Sequence, residues 1–216
     1  MAQQSGVLGG QERRPVLSAF QQRGFTMVEL LVGITILAML LALGAPAMGT
    51  YMQNSKLGSA ASSYTSGAQL ARAEAIRRNV RTELVLTDQP IAPGDIANLA
   101  VAAPTGRNWV ARAASGASFL LLEARAGSEG EGSIVGNHVQ ISGAASAPGV
   151  WTGLIPFNGF GATADGAAYS IDIKNPSAGV CLADGGKIMC RRITISPGGQ
   201  IVACLPGLPA GDSRAC

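Results

Sequence analysis

The sequence predicts an α+β protein: a long N-terminal helix packed on a mainly antiparallel, β-rich C-terminal region. Three observations predict it. From Leu30 to Ser55 no residue is charged. Leu57, Ala61, Tyr64, Ala68, Ala71 and Ala75 then recur at steps of three and four, which places them on one helix face. From residue 82 the helical period gives way to short β-like runs separated by glycine or proline.

The N-terminal element is read first. Twenty apolar residues suffice, roughly, for a helix to cross a bilayer core, and the run that follows Gly24 supplies them, so residues 25–48 read as a transmembrane segment. Arg13, Arg14 and Arg23 precede it, which keeps residues 1–24 on the cytoplasmic side and sends the remainder outward. A secretory signal peptide fits poorly, because the apolar run is long and no small-x-small cleavage site with a polar chain follows it. A plain signal anchor leaves Glu29 unexplained, since a carboxylate at the edge of such a run is costly without a partner.

Residues 53–79 continue as a helix packed on the sheet. The alanine stripe faces inward and allows close approach, while Ser59, Ser62, Ser66, Gln69 and Arg77 occupy the other side. Gly58 and Gly67 weaken this helix by about 1 kcal/mol each relative to alanine. Arg77, Arg78 and Arg81 suit the negative end of its dipole.

Beyond residue 80 the strand candidates are Thr82–Thr87, Asn108–Ala113, Ser118–Ala124, Ser133–Ile141, Gly153–Phe157, Ala168–Ile173, Gly179–Ala183, Lys187–Ser196 and Gln200–Cys204. Residues 88–107 and 142–150 read as loops. Composition agrees with this plan: hydrophobic residues at 47% are too many for a disordered chain, and 29 glycines provide for many turns.

Charge limits the choice of partners. Setting aside Arg13, Arg14, Arg23 and Glu12 from the 16 basic and 13 acidic residues leaves 13 against 12. A chain so nearly neutral lacks the basic excess of a general nucleic-acid binder. The catalytic classes are equally thin. His138 is the single histidine, flanked by Asn137 and Val139 in a strand candidate, and reads as structural. No nucleophile elbow, S-x-x-K context, phosphate loop, metal-ligand cluster or Asp-rich calcium loop is present. The expectation is a protein that is not an enzyme, with no cofactor and no metal.

Cys181, Cys190, Cys204 and Cys216 cluster in the last 36 residues without zinc-type spacing. They suggest two disulfides in an oxidising compartment, with free buried thiols as the alternative. A two-residue hairpin turn at Gly185-Gly186 sets Cys181 opposite Cys190 in a non-hydrogen-bonded pair, close enough for a disulfide. Pairing residue 195 with 200 sets Cys204 opposite Arg191, so Cys204–Cys216 follows by elimination.

The segment Arg23-Gly24-Phe25-Thr26-Met27-Val28-Glu29-Leu30 closely resembles the type IV prepilin signal, although the leader is longer than many. The resemblance implies cleavage between Gly24 and Phe25 by a prepilin peptidase, and N-methylation of the new Phe25 amine. Glu29, fifth after the cut, is then the acid that pairs with an N-terminal amine during filament assembly. Pro46 matches the position where the family's helix is interrupted, and proline there predicts a kink. Ile155-Pro-Phe-Asn-Gly-Phe-Gly161 and Arg192-Ile-Thr-Ile-Ser-Pro-Gly-Gly-Gln-Ile-Val202 together resemble the C-terminal domain of the GspH/FimT family.

That family implies a type IV pilin fold with residues 80–216 as a periplasmic domain. Its role is structural: a minor pilin that helps initiate or cap a type IV pilus-like filament, or a minor pseudopilin of the type II secretion system. Partners would be other pilins or pseudopilins, the prepilin peptidase, an inner-membrane assembly platform and membrane lipid. Some relatives hold DNA through closely spaced arginines after a glycine. Here Gly211–Cys216 offers only Arg214, opposed by Asp212, with Arg191 and Arg192 as the remaining candidate contacts. Weak or absent DNA binding is expected.

Overall fold

The alanine stripe is the buried face of helix α1 (Met27–Arg78), and Leu57, Ala68, Ala71 and Ala75 on it are wholly inaccessible. The computed structural model describes residues 24–91, 94–127 and 140–216; the side chains of residues 43–47 are also outside that description. The chain divides into two compact units, residues 1–43 and 44–216.

In the second unit, residues 82–204 supply two antiparallel sheets of four strands. The first has the order β3-β2-β1-β5, with β1 Thr82–Thr87, β2 Asn108–Ser115, β3 Ser118–Arg125 and β5 Leu154–Phe157. The second has the order β4-β6-β7-β8, with β4 Gln140–Ala145, β6 Tyr169–Lys174, β7 Arg191–Ile195 and β8 Ile201–Cys204. Leu84, Leu86, Trp109, Ile155 and Phe157 from one sheet join Ile171, Ile173, Ile193 and Ile195 from the other in a single core with the helix stripe.

β1 is buried at every residue, so it cannot show a one-faced alternation. Its even-numbered residues meet the helix. Its odd-numbered face carries Val85, which packs with Val110 and Ala100 in a second small core. That face is covered by the segment around α2 (Ile96–Leu99), a helical turn inside the stretch read as a loop.

Three polar bonds tie the helix to the first sheet. Thr82 Oγ1 donates to Ala71 O at 2.8 Å, Trp109 Nε1 donates to Ser63 Oγ at 3.0 Å, and the Tyr64 hydroxyl donates to Arg107 O at 2.5 Å. A Cβ on Gly67 would lie 2.9 Å from the Trp109 ring. The residue that weakens the helix in isolation is the one that seats the largest buried side chain.

Several boundaries differ from expectation. Most of the Ser133–Ile141 strand candidate, with His138, lies outside the described residues. β4 instead runs to Ala145, into the expected 142–150 loop. Its small residues read as loop by composition, yet the Trp151 indole packs against Gly143 and Trp151 Nε1 is anchored on Pro104 O at 2.9 Å.

The hairpin expected at Gly185-Gly186 does not form, and Gly179–Ala183 is not a strand. Pro176–Ala178 and Leu182–Asp184 are single 3-10 turns. Gly185 takes a left-handed φ of 83°, and Gly186 N donates to Cys181 O at 2.9 Å. A Cβ on Gly186 would stand 2.0 Å from Val180 O, so the loop folds back too closely for a ladder. The strand candidate Lys187–Ser196 shortens to β7 for the same reason.

The last hairpin is also offset by one. Ile195 pairs with Ile201, which sets Cys204 opposite Arg192 rather than Arg191. Ser196 N donating to Gln200 O at 2.9 Å draws Gln200 into the turn.

At the edge of the first sheet, β5 contains Pro156, opposite Glu83 of β1. The outer side of β5 is taken by its own chain: Ala164 N donates to Pro156 O at 2.9 Å, and Asn158 N donates to Ala162 O at 2.9 Å.

Candidate assembly site and basic side chains

The N-terminal unit is described from residue 24. Glu29 lies in the first turn of α1, and its backbone N donates to Thr26 Oγ1 at 3.2 Å. Thr26 is thus the N-cap, and Thr-x-x-Glu is the capping-box spacing. That signal was present in the sequence, hidden inside the prepilin-like stretch. The carboxylate of Glu29 is exposed and makes no ion pair among the described residues.

Phe25 and Met27 are 81% and 91% exposed, and Leu30, Leu31, Ile34 and Leu37 are also uncovered. A contiguous apolar surface of this kind marks an interaction with protein or lipid. The membrane span expected over residues 25–48 is not recovered as a unit: among the described residues no helix is long and apolar enough to cross a membrane. The side chains described without interruption run only from Met27 to Ala42 of α1, short of the roughly 20 residues a bilayer core takes. Pro46 falls outside the described side chains, and the expected kink with it.

The cysteines are joined as Cys181–Cys190 and Cys204–Cys216, with Cα atoms 5.5 and 5.1 Å apart. The first bond closes the 3-10 loop against the helix, where Met189 N donates to Asn54 Oδ1 at 2.8 Å. The second returns the tail to β8, and Leu205 N donates to Arg214 O at 2.8 Å.

The three candidate arginines differ in their surroundings. Arg192 faces Asp172 across β6 and β7 and forks onto it at 2.6 and 3.0 Å, which raises the guanidinium's affinity for its proton. Arg214 forks onto Asp212 at 3.1 and 2.9 Å, and its hydrogen bonds lower the Asp212 carboxyl to about 2. Arg191 is half-buried, and burial first, then the charge of Arg214, pushes its pKa down. A single cluster of free cations is not what these positions form.

The sequence reading missed one polar centre. Glu83 on β1 is almost buried and bonds Arg112 at 2.7 Å and Arg81 at 2.9 Å. Arg112 also stacks 3.9 Å over the Phe119 ring and donates to Ala97 O at 2.8 Å. It therefore staples β1, β2, β3 and α2 together. No group of His, Cys, Asp and Glu able to hold a metal is found among the described residues.

Residues 20–45 match the family described as the prokaryotic N-terminal methylation motif, the class of N-terminus that Gly24, Phe25 and Glu29 imply. The chain is similar in shape to the type IV minor pilin FimU of Pseudomonas aeruginosa, at 16% identity over 76% of this chain and 98% of that one, with a TM-score of 0.46. It is also similar to the minor pseudopilin EpsH from the Type 2 Secretion System of Vibrio cholerae, at 10% identity over 71% and 99%, with a TM-score of 0.45. No curated protein matches the chain. At identities this low, function rests on the chain's own residues.

Proposed function

We propose that this chain is a minor pilin-like structural subunit. It would be made as a precursor, cut between Gly24 and Phe25, methylated on Phe25, and built through its N-terminal helix into a type IV pilus-like filament. The observation that carries this reading is the methylation-motif match over residues 20–45, which falls on a capped, uncovered apolar helix start.

The physics of that site suits assembly. An uncovered apolar helix gains stability by burying its surface among like helices. Glu29 is a charge without a described partner, and an amine and a carboxylate neutralise one another only in the right axial register. Before assembly the same surface would be held in the bacterial inner membrane, with residues 80–216 on the periplasmic side, where disulfides persist. The work of such a subunit is structural rather than catalytic.

The test is intact mass and N-terminal sequencing of the full chain from cells with and without an active prepilin peptidase. The expected product begins at methylated Phe25 only when the peptidase is active, and Gly24→Asp blocks its formation. A membrane-fraction chain still carrying residues 1–24 in peptidase-positive cells would overturn the proposal. Crosslinking from residue 29 in those cells then separates pilus from secretion pseudopilus by the neighbouring subunit it captures.

A further inference from the structure

Strand β7 places an arginine where its period calls for an apolar residue. Side chains alternate along a strand, and Ile193 and Ile195 are in the core, so Arg191 points to the helix-facing side. Arg192, on the opposite face, is taken by Asp172. Arg191 makes no ion pair among the described residues, and its Nε is buried without a hydrogen-bond partner. Thr65 Oγ1, on the helix opposite, is buried and unpartnered in the same way.

The two lie along one groove of about 400 Å³, lined by Gly58, Ser62, Thr65, Ser66, Arg191 and Ala203. Gly58 borders the guanidinium, since a Cβ there would stand in ordinary contact with Arg191 Nη2, at 3.6 Å. A cation half withdrawn from water without a counter-charge is costly, and orphaned buried polar atoms are rare enough to require a reason. One guanidinium with serine and threonine hydroxyls beside it matches a small oxyanion, because each group can donate and the fork fits two oxygens.

We propose that the groove between α1 and the β7–β8 edge is a binding site for a single small oxyanion, a phosphate or a carboxylate, held by Arg191 and the hydroxyls of Ser62, Thr65 and Ser66. This proposal does not depend on the filament reading. Ser62, Ser66 and Ala203 along the groove are exposed, and Arg191 is the one cation among the described residues that line it, so it suits one oxyanion group rather than a run of phosphates.

The experiment follows the Arg191 Nε–Hε resonance of the isotope-labelled full chain in detergent micelles during separate titrations with inorganic phosphate, acetate and chloride at constant ionic strength. A saturable shift with phosphate or acetate, absent with chloride and weakened several-fold in Thr65→Val, is expected. Phosphate alone would mark a phosphoryl ligand, and a response to acetate as well would mark a carboxylate. Arg191→Met should melt no lower than the parent in anion-free buffer and lose the rise in Tm that the binding anion gives the parent. No saturable shift with either anion, an equal shift with chloride, or a lower Tm for Arg191→Met in anion-free buffer would each overturn the proposal.

Discussion

The indole of Trp109 occupies the space that a side chain at residue 67 would fill. This relationship explains how a helix can lie so close to a sheet while burying a tryptophan between them. Gly67→Ala would gain about 1 kcal/mol of helix propensity but must displace the ring, and overpacking costs about 1–3 kcal/mol. The expected result is a net loss of stability in chemical denaturation. A stabilised variant would show that the ring moves without cost.

Glu83 and Arg112 give a second prediction. Arg112→Met leaves a nearly buried carboxylate with only Arg81, which is half-exposed. Removing one partner of a buried pair typically costs about 3–5 kcal/mol, and the remaining Arg81 should hold the loss to about 2–3 kcal/mol. Glu83→Leu combined with Arg112→Met should recover much of it. A double-mutant denaturation cycle checks the coupling.

The 3-10 loop supplies a third. Replacing Cys181 and Cys190 by serine opens a short loop, and entropy alone predicts a loss of about 2–3 kcal/mol. Gly186→Ala should weaken the same loop with both cysteines intact, because the new Cβ meets the Val180 carbonyl. Proteolysis between residues 179 and 190 reads both effects.

The helix end titrates predictably. Hydrogen bonds from Arg77 and then Arg78 lower the Glu74 carboxyl to about 2, from an ordinary value near 4.5. A carboxyl with a depressed folded pKa stabilises the fold above its unfolded pKa. That contribution fades as pH falls from about 4.5 towards 2. Carbon NMR of the Glu74 carboxyl should show its midpoint near 2, and Arg77→Gln with Arg78→Gln should return it towards 4.5.

How far the fold was legible follows from where local signals acted alone. The Leu57–Ala75 stripe and β1 could be read directly, since helical period and β-branched content agreed with burial. The hairpin at Gly185-Gly186 could not: turn chemistry favoured it, but the chain folds back so that Gly186 N bonds Cys181 O, and the disulfide loop is anchored on Asn54, contacts that no local pattern announces. β4 was obscured because Gly143 and its alanines look like loop until Trp151 covers them. The Glu83–Arg112 centre joins residues 29 positions apart, a distance no local pattern spans. At the N-terminus the reverse held, and a contiguous motif carried the functional reading without any tertiary information.

Pro156 has a consequence for a protein that would live packed among other pilin-like subunits. An outer strand normally offers a row of free donors and acceptors to any passing chain. On β5 a proline withholds one amide, and the folded-back turn at residues 162–164 uses the neighbouring groups. Neighbouring subunits would therefore meet a blunted rim at β5, and sheet extension from that edge is disfavoured.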